Sequence, residues 1–234
     1  MTRVAVVTGA AGAIGSATCL AFERNGWDVI AVDRAPIERV GALRLDVLDV
    51  EALTSTLGTV KRADALINNA AIQLFKPLAD TTPDEWDEIS AVNVRAAFVC
   101  VRALLPQLSA AGGAIVNVSS VHAHATSAGA AAYATSKGAL MAFTRSAAVE
   151  LAESSIRVNA VLPGAVESPA LRAGLSRSPE ARDTLIARTP LKRIGRPDEV
   201  AEAILFLADN DRSSFMTGQS LVVDGGALAR LSTE

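Results

Sequence analysis

The sequence predicts an α/β fold: a doubly wound, seven-stranded parallel sheet with helices on both faces. Three observations carry that expectation. Seven short β-branched runs alternate with longer helical patterns along the 234 residues. The runs are almost continuously apolar, as strands covered on both faces must be. A Gly-rich turn joins the first run to the first helical pattern. Such alternation, with right-handed crossovers, leaves few other topologies.

The elements follow in order. Val4–Val7 reads as the first strand and 15–25 as the first helix. Asp28–Val32 is the second strand, and Ala42–Leu45 a weak third. A helical pattern over Val50–Leu57 precedes the fourth strand, Ala65–Ile67. A long helix is expected over Pro83–Leu108, then a fifth strand at Ala114–Val118. Ala132–Ala152 is the next helix and Arg157–Val161 the sixth strand. Pro163–Pro197 is rich in Arg, Ser, Pro and Gly, too long for an ordinary connection. Segments of that kind are usually functional lids or partly helical inserts. A helix over Pro197–Ala208 and a seventh strand at Ser220–Val223 complete the pattern. Residues 1–234 therefore read as one domain, with 163–197 as its lid.

Composition narrows the function. Half of the residues are hydrophobic, which excludes a disordered chain. A formal net charge of -3 and 4% aromatic residues argue against a nucleic-acid binder, which needs a basic face or a stacking platform. No uninterrupted apolar run of about 18 residues occurs, so no membrane span is expected. The first residues carry no charged leader pattern, and Cys19 and Cys100 both sit in apolar stretches. Buried free thiols suit a reducing compartment, and a cytoplasmic location follows as the expectation. No Cys/His cluster shows ligand spacing, so no metal is expected.

Two motifs point to chemistry. Thr8-Gly9-Ala10-Ala11-Gly12-Ala13-Ile14-Gly15 lies between a strand and a helix. Glycines there let backbone approach a diphosphate, and the helix N-terminus favours its charge. Asp33 closes the second strand, where a carboxylate would bond a ribose 2′-hydroxyl and repel a 2′-phosphate. That favours NAD over NADP, although the adjacent Arg34 is a counter-signal. The second motif is Tyr133 and Lys137, one helical turn apart and following Ser119-Ser120. An ammonium near a phenol favours the phenolate, which would suit the pair to acid/base work near neutral pH.

With these residues in view, the whole chain resembles the short-chain dehydrogenase/reductase family, which has a Rossmann-type fold. Its matching pieces are Thr8-Gly9-x-x-x-Ala13-Ile14-Gly15, Asp46-Val47, Asn68-Asn69-Ala70-Ala71, Asn93, Ser119-Ser120 and Tyr133-x-x-x-Lys137. Downstream they are Arg157 to Gly164, Pro190-Leu191, Arg196 to Ala201, Thr217-Gly218-Gln219 and Val223 to Gly226. The resemblance implies that Tyr133 transfers the proton, that Ser120 rather than Ser119 holds the substrate oxygen, and that Lys137 holds the nicotinamide ribose. Asn93 would support a water-mediated relay through Lys137. Gly9, Ile14 and Gly15 would cradle the diphosphate, Asp33 the ribose, and Asp46 with Val47 the adenine. Asn69, Ala70 and Ala71 would line the cleft, with Pro163, Gly164 and Val166 on the nicotinamide side. Ala13 and Ala71 replace usual glycines, which is tolerable only where φ is negative.

The resemblance also implies hydride exchange between NAD and a secondary alcohol or ketone. Gln73 and His122 are the implied substrate contacts, a pair similar to that of 3-hydroxybutyrate dehydrogenases. Ala130 stands where that subgroup has a Lys, which weakens the case for a carboxylate. A hydroxy acid, a sugar and a cyclic alcohol all stay open as substrates. Arg172 and Arg177 are candidates to reach an anionic substrate, against the plainer reading of a solvated basic face. Apolar residues on several faces of the 132–152 helix, with the family's habit, imply a homotetramer. Two rivals are an NADP-dependent 3-oxoacyl-(acyl-carrier-protein) reductase and a non-catalytic NAD(H)-sensing module.

Overall fold

The computed structural model describes residues 1–176 and 179–230. Seven parallel strands form one sheet: β1 (Val4–Thr8), β2 (Asp28–Asp33), β3 (Leu43–Arg44), β4 (Ala65–Asn68), β5 (Ala114–Val118), β6 (Arg157–Pro163) and β7 (Ser220–Val223). Their order is β3-β2-β1-β4-β5-β6-β7, so the winding reverses between β1 and β4. In sheets of this kind ligands bind at the carboxyl ends beside that reversal.

Alternation along each strand builds two cores. Ala5, Val7 and Ile67 face α1 (Ala13–Arg24) and α8 (Pro197–Ala208), where Phe22, Trp27 and Ile204 are buried. Val6, Leu66 and Ile115 face the opposite layer. That layer comprises α2 (Val50–Gly58), α4 (Ala96–Ala111) and α5 (Ala131–Leu151). The two cysteines lie inside these layers, and burial pushes Cys19 up to about 11 and Cys100 to about 12.

Two departures from the sequence expectation bear on the site. The long helix divides: α3 (Pro83–Ser90) begins with a Thr82/Glu85 capping box, and a π-helical turn at Ala91–Arg95 separates it from α4. One extra residue per turn leaves no trace in a 3.6-residue pattern, and such turns recur at functional sites. The rod Pro83–Ala111 is long and apolar enough by length and composition to cross a membrane. Half of its most apolar window is buried, with Leu104 and Leu108 fully inside the core, so the apolarity belongs to sheet packing.

The segment after β6 is a partly helical insert. It contains α6 (Pro169–Leu175), capped by the Ser168 hydroxyl on Leu171 N–H, and α7 (Pro179–Arg188). A short α9 (Asn210–Ser213) follows α8. The basic residues of the insert are largely paired. Arg172 and Arg182 flank Glu167, while Arg193 and Arg196 meet Glu199. Arg177 lies outside the described residues.

Candidate active site

The carboxyl ends of β1 and β4 form a tight cradle. Gly9 adopts φ +65, and a Cβ there would lie 2.7 Å from the Ala70 Cα. A Cβ on Gly15 would collide with the Gly9 carbonyl oxygen and approach Asn69 Nδ2 to 2.8 Å. The Asn69 amide donates to the Thr8 and Gly9 carbonyls, both at 3.0 Å. The buried Thr8 hydroxyl accepts from Asn69 N–H and Ala70 N–H, each at 3.1 Å. Helix α1 has Gly12 at its N-cap and no side-chain cap, which leaves first-turn N–H groups to an outside acceptor.

Beside the cradle runs an open cleft of ≈ 530 Å³, lined by Gly9, Asp33, Asp46, Val47, Ala70 and Ala71 among others. Asp33 is fixed at its rim by Ala11 N–H (3.0 Å) and Ala35 N–H (2.9 Å). Asp46 accepts from Leu48 N–H, which turns Val47 into the cleft wall. The fit to a dinucleotide rests on these features: a side-chain-free cradle, an uncapped helix start, and a carboxylate lining the same cleft.

Across the sheet edge, β5 and α5 bring Ser120, Tyr133 and Lys137 together. Tyr133 is 5% exposed and Lys137 2%. Gln73 Nε2 approaches the phenol oxygen at 3.5 Å. Burial pushes the Tyr133 phenol up, and hydrogen bonds from Gln73 and Ser120 pull it back. The lowering by Lys137 that the spacing suggested is not found in this geometry. Lys137 Nζ lies 5.7 Å from the ring centre and donates to the Val118 carbonyl at 2.9 Å. Its own burial depresses it to about 8.

Ser119 and Ser120 part company. The Ser119 hydroxyl is spent on the Lys137 carbonyl at 2.9 Å, whereas Ser120 faces the phenol and accepts from His122 N–H. Asn93, in the π-helical turn, binds both backbone groups of Ile72 and donates to Ser136 Oγ at 3.0 Å. Ser136 in turn donates to the Tyr133 carbonyl. The Asn93 side chain thus ties the 72 loop to the Tyr133 helix and makes no hydrogen bond to Lys137.

The family model described as Enoyl-(Acyl carrier protein) reductase matches residues 9–227. The chain is 40% identical to a cyclopentanol dehydrogenase of Comamonas testosteroni, with 97% of each covered. It is 37% identical to a 3-oxoacyl-(acyl-carrier-protein) reductase of Thermotoga maritima, over 96% of this chain and 97% of that one. The ligand-free aldohexose dehydrogenase of Thermoplasma acidophilum superposes with a TM-score of 0.94 at 29% identity, covering 99% of this chain and 96% of that one. The chain belongs to the short-chain dehydrogenase/reductase family. It is an oxidoreductase of CH–OH donors that works with a nicotinamide dinucleotide.

Within this short-chain dehydrogenase the other expected positions fall as follows. Ile14 and Gly15 occupy the first turn of α1. Ala13 and Ala71 do not have positive φ, so their methyl groups impose no strain. Pro163 ends β6, and Gly164 follows, its N–H bonded to Val223 O. A Cβ on Gly164 would meet Asp224 at 2.8 Å, so this glycine serves the packing of the C-terminal segment. Val166 bridges to Gly195 and lines a separate ≈ 450 Å³ pocket with Arg193 and Asp224. His122 packs edge-on to Tyr133 at 5.6 Å and pairs its Nδ1 with Thr126 Oγ1 at 2.8 Å. Burial holds His122 below its ordinary value, which favours the uncharged imidazole. Among the described residues no group of three or more His, Cys, Asp or Glu could hold a metal.

Two participants had no role assigned from sequence. Thr8 belongs to the glycine motif, yet its hydroxyl clamps the β1 and β4 ends together. Phe75 is 56% exposed, and its ring stands 6.1 Å from Tyr133 and 5.8 Å from His122. No sequence signal singled it out, because Ile72, Leu74 and Leu78 beside it are apolar as well.

Proposed function

We propose that this short-chain dehydrogenase is an NAD-dependent alcohol dehydrogenase acting on a secondary alcohol, with a carbocyclic alcohol as the best substrate class. The observation that carries the reading is the convergence of Ser120, Tyr133 and Lys137 beside the dinucleotide cleft. Gly9, Ile14 and Gly15 would hold the diphosphate, Asp46 and Val47 the adenine, and Asn69, Ala70 and Ala71 would line the cofactor cleft. Asp33 would accept the ribose 2′-hydroxyl, its carboxylate already oriented by two backbone N–H groups. A 2′-phosphate there would meet that charge, which is why NAD is preferred and NADP is second. Pro163, Gly164 and Val166 would border the nicotinamide side, and α6 with α7 would form a lid.

When bound, the nicotinamide ring supplies the hydride acceptor. The Ser120 hydroxyl holds the substrate oxygen. Tyr133 Oη takes the hydroxyl proton in oxidation and returns it in reduction. Lys137 orients the ribose and stabilises the phenolate once the two approach. Asn93 is a positioning residue that keeps the 72 loop and the Tyr133 helix in register. Among the described residues Arg172, Arg182, Arg193 and Arg196 of the insert are paired with Glu167 and Glu199, and burial favours the uncharged form of His122, which disfavours hydroxy acids. The cyclopentanol relative points the same way. The 3-oxoacyl reductase reading keeps support from the Thermotoga relative, and Asp33 speaks against it.

The test is a reduction screen with NAD and NADP across cycloalkanols, hydroxy acids and aldohexoses. The expected outcome is turnover of cycloalkanols with NAD favoured at least about tenfold, the size of one lost charge-assisted contact. Preference for NADP, or tight NADH binding with no turnover of any alcohol, would replace this reading by one of its two rivals. The protein further acts as a cytoplasmic homotetramer in this proposal. Phe98 on α4 and Val149 on α5 are exposed apolar side chains, 47% and 81%, and such surfaces mark interfaces. Light scattering is expected to give four chains per particle, and a monomeric mass at micromolar concentration would reject that part.

A further inference from the structure

The phenol ring of Tyr133 and two other rings form a closed group. Phe75 lies 6.1 Å from Tyr133, His122 lies 5.6 Å from Tyr133, and Phe75 lies 5.8 Å from His122. These are ordinary separations for edge and tilted aromatic pairs. Phe75 nevertheless keeps 56% of its surface exposed, so the core does not account for its position.

The loop that carries it is held at both ends. Ile72 is bound through both backbone groups by Asn93. Lys76 N–H donates to the Gly129 carbonyl at 2.7 Å, and its ammonium bonds both Glu85 carboxylate oxygens at 2.9 Å. An exposed aromatic ring on so braced a backbone is presented rather than loose. The neighbouring polar atoms are partly engaged already. Gln73 Nε2 turns to the phenol, and His122 Nδ1 to Thr126. The large exposed apolar surface next to the Tyr133 ring is that of Phe75.

We propose that Phe75 is a specificity-determining residue whose ring, backed by His122, forms an apolar wall against the hydrocarbon skeleton next to the carbinol carbon. The inference rests on the alcohol dehydrogenase reading above and deepens it. A saturated five- or six-membered ring would bury apolar surface against this wall. A hydroxyl-rich sugar would have to desolvate polar groups there without partners in return. A very small alcohol would scarcely reach it.

The wall is tested with Phe75→Ala and Phe75→Leu in the full chain. KM and kcat are measured with NAD for cyclopentanol, cyclohexanol and 2-propanol. In Phe75→Ala the KM of both cycloalkanols is expected to rise about tenfold, the scale of lost apolar contact in a pocket. Their kcat, the 2-propanol KM and the NADH affinity are expected to stay within about twofold. Phe75→Leu is expected to recover part of the loss. An equal change for all three alcohols, or none for the cycloalkanols, would overturn the inference and leave the dehydrogenase reading intact. Saturation-transfer NMR from aromatic protons to cyclopentanol, in the NADH complex, reads the wall without turnover. Loss of that transfer in Phe75→Ala supports the wall even where oxidation of cycloalkanols fails. Undiminished transfer refutes it.

Discussion

Tyr133→Phe is expected to lower kcat by about 10²–10⁴-fold, the range for loss of a positioned acid/base group. Thermal midpoint and NADH affinity should hardly move. Phe keeps the ring, which is 5% exposed and packed against His122 and Phe75. It removes only the oxygen that Gln73 and Ser120 face. Retention of wild-type turnover on a confirmed substrate would end the proton-transfer assignment. The pH dependence has a definite sign. Burial favours the protonated phenol, which is the form that donates to a ketone. Alcohol oxidation needs the deprotonated form, so its kcat/KM should climb on the alkaline side while ketone reduction declines there. Since Tyr133 is the one tyrosine in the sequence, absorbance titration of the cofactor-free protein should report its phenol above the free value.

Lys137→Met is expected to lose most turnover and yet gain stability at neutral pH. The Lys137 ammonium is buried with the Val118 carbonyl as its hydrogen-bond partner. Its proton is held at about 8 in the folded chain against 10.5 unfolded. Between those values the unfolded chain binds the extra proton, so this group makes stability rise with pH across that window. Below about pH 8 the cost is at full strength, on the order of 3 kcal/mol. Methionine has similar bulk and no charge, so the variant should be the more stable protein at pH 7, with the gap closing toward pH 10. The raised thiols of Cys19 and Cys100 act in the opposite direction above pH 9, but equally in both proteins, and cancel in the difference. Denaturant unfolding at pH 7 and pH 10 measures the gap. A constant gap would mean that the ammonium is not desolvated as described.

Much of this was legible in the sequence for a physical reason. Apolar runs of strand length between helical patterns admit little but a covered parallel sheet, and all seven strands occur where the runs stand. The Tyr133 and Lys137 spacing placed both on one helix face, which local geometry alone dictates. Partnerships across the fold were less accessible. Nothing in the helical pattern shows that Asn93 sits in a π turn or that its amide is taken up by Ile72 and Ser136. The phenol's state depends on how deeply three elements bury it, which no spacing reveals. Within the segment read as a lid or partly helical insert, α6 and α7 had no bounds of their own, because both are short and Pro169, Gly174 and Pro179 break up the pattern.

The two anchor points of the 72 loop have a consequence for altering the enzyme. Ile72 is fastened by Asn93, and Lys76 by Gly129 and Glu85, through backbone groups and an ion pair that do not involve the intervening side chains. Gln73, Leu74 and Phe75 therefore behave as a three-residue cassette held in a fixed frame. Of the three, Gln73 alone hydrogen-bonds the phenol oxygen. Exchanging Leu74 and Phe75 as a unit should re-aim substrate choice without disturbing the proton machinery, and a small library at these two sites is the economical way to move this scaffold between alcohols.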